Sequence, residues 1–211
     1  MPYRSVFISA SFLLVFAVVG SGLVAFTFDS TEERIAENQR RALLKSLNEL
    51  VPSDRYDNNM FSDILEVRNS ELLGTDEPVP VYRARKGGWP IAAVLAPVAP
   101  DGYNGNIRLL VAVNLDGTLA GVRVVQHRET PGLGDKIEAD KDDWINLFNG
   151  ATALADPAAA EWNVRRDGGN IDQLSGATIT SRAVLNAIRK TQRYYLTNAA
   201  TITAPAATTT D

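Results

Sequence analysis

Residues 172–180, Asp-Gln-Leu-Ser-Gly-Ala-Thr-Ile-Thr, place hydroxyls and small side chains just ahead of a helical pattern. From Ser181 to Tyr195, apolar Ala183, Val184, Ala187 and Ile188 recur at helical spacing. A helix N-terminus offers unpaired backbone N–H groups and the positive end of the dipole, a setting that favours phosphate. Ser175, Gly176 and Ala177 are small enough to let another molecule approach Thr178, with Thr180 as a second hydroxyl nearby. The local alternative is capping, since Ser and Thr hydroxyls often serve helix starts. Taken alone, Ser175 to Thr178 leave both readings open.

A second string, Glu-Thr-Pro-Gly-Leu-Gly-Asp-Lys-Ile at 129–137, bends tightly at Pro131, Gly132 and Gly134. Gly132-x-Gly134 runs on into Asp-Lys without a third glycine, so it is not a dinucleotide fingerprint. His127 reads as a solvated residue at a strand end, and Asp135, Glu138, Asp140, Asp142 and Asp143 as a solvated helix face without calcium-loop spacing. The chain has one His and no Cys. That excludes thiolate zinc sites, iron–sulfur clusters, disulfides and multi-histidine metal sites within it. Redox chemistry here would need an organic cofactor. A net charge of −4 without a basic stripe argues against a nucleic-acid partner.

The elements that would hold these strings are α+β. Val79 to Arg85, Ile91 to Val98, Ile107 to Asn114 and Leu119 to Gln126 read as strands. Pro100-Asp101-Gly102 and Asn104-Gly105 read as turns, and Asp116-Gly117 as a hairpin turn. Asp140 to Phe148 looks like a short amphipathic helix. The expected fold is a twisted, mainly antiparallel sheet flanked by helices, preceded by a transmembrane helix.

From Ser5 to Phe28 the chain is uncharged, shows no polar face and is long enough to cross a bilayer. Arg4 precedes it and Asp29, Glu32 and Glu33 follow, which predicts a cytoplasmic N-terminus and an exported remainder. A cleaved signal would have a shorter core ending in small residues, whereas this run ends Phe26-Thr27-Phe28; a retained anchor is favoured. Without cysteine there is no lipoprotein anchor. The expected division is an anchor at 1–29, a helical stalk at 30–52, a folded domain at 53–197 and a disordered tail at 198–211.

Ser175-Gly176-Ala177-Thr178 resembles the flavinylation motif of FMN-binding domains. With the 129–137 string, Ala99-Pro100-Asp101-Gly102-Tyr103, Leu109-Leu110-Val111, Asp143-Trp144-Ile145, Asp167-Gly168-Gly169 and Arg182-Ala183-Val184, it makes residues 30–195 similar to G subunits of the Rnf electron-transport complex. The C subunit of the sodium-pumping NADH:quinone reductase shares the core motif and is the alternative, as is a flavin-free scaffold. The resemblance implies FMN joined through its phosphate to Thr178 by a separate flavin transferase. It also implies contacts from Ser175, Gly176, Ala177, Thr180, Thr130, Gly132, Leu133 and Lys136, with Thr180 capping the helix or touching the phosphate and Asp172 orienting the loop. The protein would be a single-pass component of a bacterial inner membrane with a periplasmic FMN domain. It would carry electrons among other membrane and redox subunits, in a complex coupling ferredoxin and NAD to ion movement.

Overall fold

The computed structural model describes residues 3–151 and 162–205. The chain divides into two units, 1–44 and 45–211. Helix α1, Tyr3–Leu50, supplies the first unit and continues into the second. Within the first, Val6–Phe28 is a 23-residue apolar stretch whose large side chains, Phe12, Leu14 and Phe16 among them, are exposed. Exposed apolar side chains on every face suit a lipid surround. The last turn of α1 buries Leu47 and Leu50 in the second unit, and Arg123 Nε donates to Glu49 Oε2 at 3.0 Å.

The second unit is built on a six-stranded antiparallel sheet: β1 Ile64–Val67, β2 Val79–Lys86, β3 Trp89–Leu95, β4 Val98–Gly102, β5 Gly105–Asn114 and β6 Leu119–Gln126. Ten-residue β5 organises it. Its Val111–Asn114 half pairs with β3 and its Gly105–Arg108 half with β4, while β6 runs along the opposite edge. Helix α2, Ser70–Leu73, follows β1, capped by the Asn69 side chain and closed by Gly74 at φ 72°. Helix α3, Thr178–Ile202, lays Val184, Leu185 and Ile188 into the core shared by Ile107, Leu109 and Val111. Each such buried side chain contributes roughly 1.5–3 kcal/mol.

Four expectations change. The apolar run Ile91 to Val98 is two strands, because Ala96-Pro97 breaks it and the Pro97 carbonyl turns to the Leu109 N–H. Pro100-Asp101-Gly102 lies within β4 on the sheet edge, where a proline is tolerated, so the turn falls at Tyr103-Asn104. The amphipathic helix at 140–148 is a 3-10 helix over Asp143–Phe148 that buries Trp144, Ile145 and Phe148 and leaves Leu147 exposed. The tail expected to be disordered from 198 is helical through Ile202, which is buried, and Arg85 Nη2 holds the Ala204 carbonyl at 2.7 Å. These tertiary contacts override an Ala/Thr-rich composition; the rest of that tail, 206–211, lies outside the described residues.

Candidate functional site

Helix α3 begins at Thr178 itself, so Thr178, Ile179 and Thr180 form its first turn. The residue before it, Ala177, has φ −130° and offers no side-chain cap. The first backbone N–H groups of a helix have no partner within it. Here they adjoin a pocket of about 490 Å³ lined by the first turn, Gly176, Thr130, Leu133, Gly134, Tyr103, Glu129 and Arg166. Gly176 sits at φ 76°, and a Cβ there would stand 3.0 Å from Leu133 Cδ2. Glycine thus holds a left-handed turn and keeps the floor of the pocket open.

The fold brings together Thr130, Leu133, Gly176, Ala177, Thr178 and Thr180 at this one pocket. Ser175, Gly132 and Lys136 do not line it. The two threonines of the first turn differ in a way their spelling does not reveal. Thr178 is half-buried at the pocket wall and its hydroxyl donates to no described residue. Thr180 is 1% exposed and donates its hydroxyl to Glu129 Oε2. It therefore neither caps the helix nor has a free hydroxyl for a phosphate.

Glu129, 4% exposed, also accepts the Asn104 N–H through Oε1 at 3.0 Å. Its own N–H donates to His127 Nδ1 at 3.0 Å, and His127 Nε2 lies 2.7 Å from Glu138 Oε1. With Nδ1 accepting, the neutral ring carries its proton on Nε2. His127 is thus built into the loop rather than solvated. Asp135 is buried rather than on a solvated face, paired to Lys141 at 3.1 Å, and Lys141 also donates to Glu138 at 2.6 Å. Burial alone would raise the Asp135 and Glu138 carboxyls. The Lys141 ammonium outweighs it and holds both below their ordinary values, helped at Glu138 by the hydrogen bond from His127.

A 3-10 turn at Arg165–Asp167 brings Arg166 to the same pocket. Arg182, one turn into α3, fastens that turn through two hydrogen bonds to Asp167. Arg165 pairs with Asp172, and the Arg166 N–H donates to Gln173 Oε1 at 3.2 Å. Arg166 joins the site without any local signal in the sequence, whereas Glu129 and Ile179 lie inside the two strings without being singled out there. Tyr103 and the Asp167-Gly168-Gly169 turn are visible there only as parts of a longer resemblance. Among the described residues no group of His, Asp and Glu could hold a metal ion.

The pocket suits an anionic, partly apolar ligand: its lining includes the uncapped first turn of α3 and Arg166 together with Leu133, Ile179 and Tyr103. The FMN-binding domain family matches residues 102–192, the span that contains every residue of this pocket. The RnfG N-terminal region matches residues 1–50, a span that contains helix α1. The G subunit of the ion-translocating oxidoreductase complex of Pseudomonas aeruginosa is 48% identical over 202 residues, 96% of this chain and 94% of that protein. The proteins of the same name from Shewanella amazonensis and Vibrio cholerae are 43% and 44% identical, covering 93% and 86% of this chain and 91% and 86% of theirs. With an FMN-binding domain behind an apolar N-terminal helix, the chain belongs to the family of G subunits of the ion-translocating oxidoreductase complex.

Proposed function

We propose that this chain is a membrane-anchored electron carrier that bears FMN covalently on Thr178, within an ion-translocating oxidoreductase complex. FMN, when bound, supplies one- and two-electron transfer. The observation that carries the site is the contrast within one helical turn. Thr178 lines the pocket at an uncapped helix N-terminus, and Thr180 is buried against Glu129. The first-turn N–H groups and Arg166 would hold the phosphate, and Leu133, Ile179 and Tyr103 supply apolar contact for a flavin ring. Glu129, the one carboxylate lining the pocket among the described residues, is engaged with Thr180 and Asn104, so it is no free base for Thr178. Attachment therefore falls to a separate flavin transferase. Thr178 gives up its hydroxyl proton to that enzyme, its Oγ bonds to the phosphorus of the FMN half of FAD, the pyrophosphate bond breaks and AMP leaves.

Helix α1 would fix the domain to the bacterial inner membrane by a single span, with Arg4 inside and the FMN domain in the periplasm. A tether keeps the cofactor where no flavin pool could replace it. One span cannot make an ion path, so ion movement belongs to other membrane subunits. The test is co-expression with a flavin transferase, followed by intact mass and peptide mapping. A gain of one FMN less water on the peptide containing Thr178 is expected. No adduct, with a transferase shown active on another substrate, would overturn the reading.

A further inference from the structure

We infer that the buried carboxylate of Glu129 is a fixed negative charge in the wall of the flavin pocket that holds the bound flavin's reduction potential down. The inference rests on the reading of this pocket as an FMN site. Glu129 is the one carboxylate lining the pocket among the described residues, and it is 4% exposed. Water screens an exposed charge, whereas a charge in a buried wall is screened much less over a short distance.

Its charge is also held in place. Oε2 takes the Thr180 hydroxyl from the first turn of α3, and Oε1 takes the Asn104 N–H from the turn between β4 and β5. Hydrogen bonds of this kind stabilise a buried carboxylate in its charged form. The backbone has made room for it. A Cβ on Gly134 would come within 2.9 Å of Glu129 Cβ and 3.0 Å of Oε2, and one on Gly102 within 2.9 Å of Oε1. Arg166 is the one cation lining the pocket among the described residues, and it is exposed. A flavin held in this pocket would gain an electron against the Glu129 charge, and the guanidinium that offsets it is screened by solvent.

A purely structural clasp is distinguishable from a fixed charge by a charge-conserving substitution. Glu129→Gln keeps the shape and removes the charge, so the midpoint potential rises. Glu129→Asp keeps the charge but is too short to hold the Thr180 hydroxyl as Glu129 does, so the potential stays near that of the wild type. Loosening of the wall would move both variants the same way. The measurement is spectroelectrochemical titration of the full-length chain, loaded by co-expression with a flavin transferase, with adduct stoichiometry taken separately from intact mass. A rise in Glu129→Gln with Glu129→Asp near the wild type supports the inference. Equal shifts in the two variants, or no shift in Glu129→Gln, overturn it. If Glu129→Gln fails to load, Glu129→Met takes its place as the neutral variant: a rise supports the inference, and a fall or no change overturns it. Absence of adduct from the wild-type chain would instead strike the FMN reading, so the two failures are told apart.

Discussion

Arg182 grips Asp167 at two points, Nε to Oδ2 at 2.6 Å and Nη2 to Oδ1 at 2.9 Å, and so ties the 165–167 turn to the helix that carries Thr178. The paired charges, through the hydrogen bonds above all, lower the Asp167 carboxyl and raise the Arg182 guanidinium. The turn it steadies is the one that aims Arg166 at the pocket. Arg182→Met should slow flavin attachment by roughly two- to fivefold, the size expected of one exposed charged contact. Arg166→Gln should do the same and Arg166→Lys less. Timed intact-mass measurement of adduct checks this; equal rates in all three variants would remove Arg166 from the phosphate site.

Thr178→Ala should abolish the adduct and leave stability within about 0.5 kcal/mol, because the side chain is half-buried and donates no hydrogen bond to a described residue. Thr180→Ala should behave in the opposite way. Removing a buried hydroxyl from Glu129 leaves a carboxylate oxygen short of its donor, at a cost of about 1–3 kcal/mol. Attachment at Thr178 should persist in that variant wherever it folds. Urea denaturation and fluorescence of the denatured protein on a gel separate the two outcomes.

Periodicity makes the long elements legible. The β6 boundaries, Leu119 to Gln126, coincide with its apolar pattern, and the Ala183–Ile188 stripe falls inside α3, which extends past the expected Ser181–Tyr195 at both ends. The four-residue β1 and α2 escape detection because elements so short have no period. Pro97 splits one apolar run that propensity would join. At the site, the loop and helix start are legible as strings, but their pairing is not. Glu129 and Thr180 are 51 positions apart, and nothing local says that one hydroxyl of the helix start turns inward to a carboxylate while the other faces the pocket. His127 reads as solvated for the same reason: its partner Glu138 sits beyond the glycine turn.

Acid should loosen the 127–141 loop over a defined range. Asp135 and Glu138 start from ordinary values of 3.8 and 4.5, and both are lowered in the folded chain. A lowered carboxyl contributes stability that is fully present above its unfolded value and lost as pH falls through the folded one. The contribution of these two carboxylates should therefore be fully present from neutrality to about 5 and lost progressively below about 4. Lys141→Met should flatten that acid limb and lower Tm at neutral pH, since Asp135 is then buried without its cation. Thermal melts of both proteins from pH 3 to 7 check the sign.

Two glycines of the same loop should fail differently on substitution. Gly134 has no room: an added methyl would crowd Glu129 Cβ at 2.9 Å and Thr180 Oγ1 at 3.1 Å, between the carboxylate and the helix that holds the pocket. Gly134→Ala should cost about 1–3 kcal/mol by overpacking, and it should shift the flavin absorption because the Glu129–Thr180 contact must give way. Gly132 has open space around it but sits at φ 77°. Gly132→Ala should cost about 1–2 kcal/mol through the left-handed backbone alone, leaving the pocket wall in place and the flavin spectrum little changed. Equal spectral shifts in the two variants would mean that the 129–134 loop acts on the flavin through its backbone path rather than through the carboxylate it packs against.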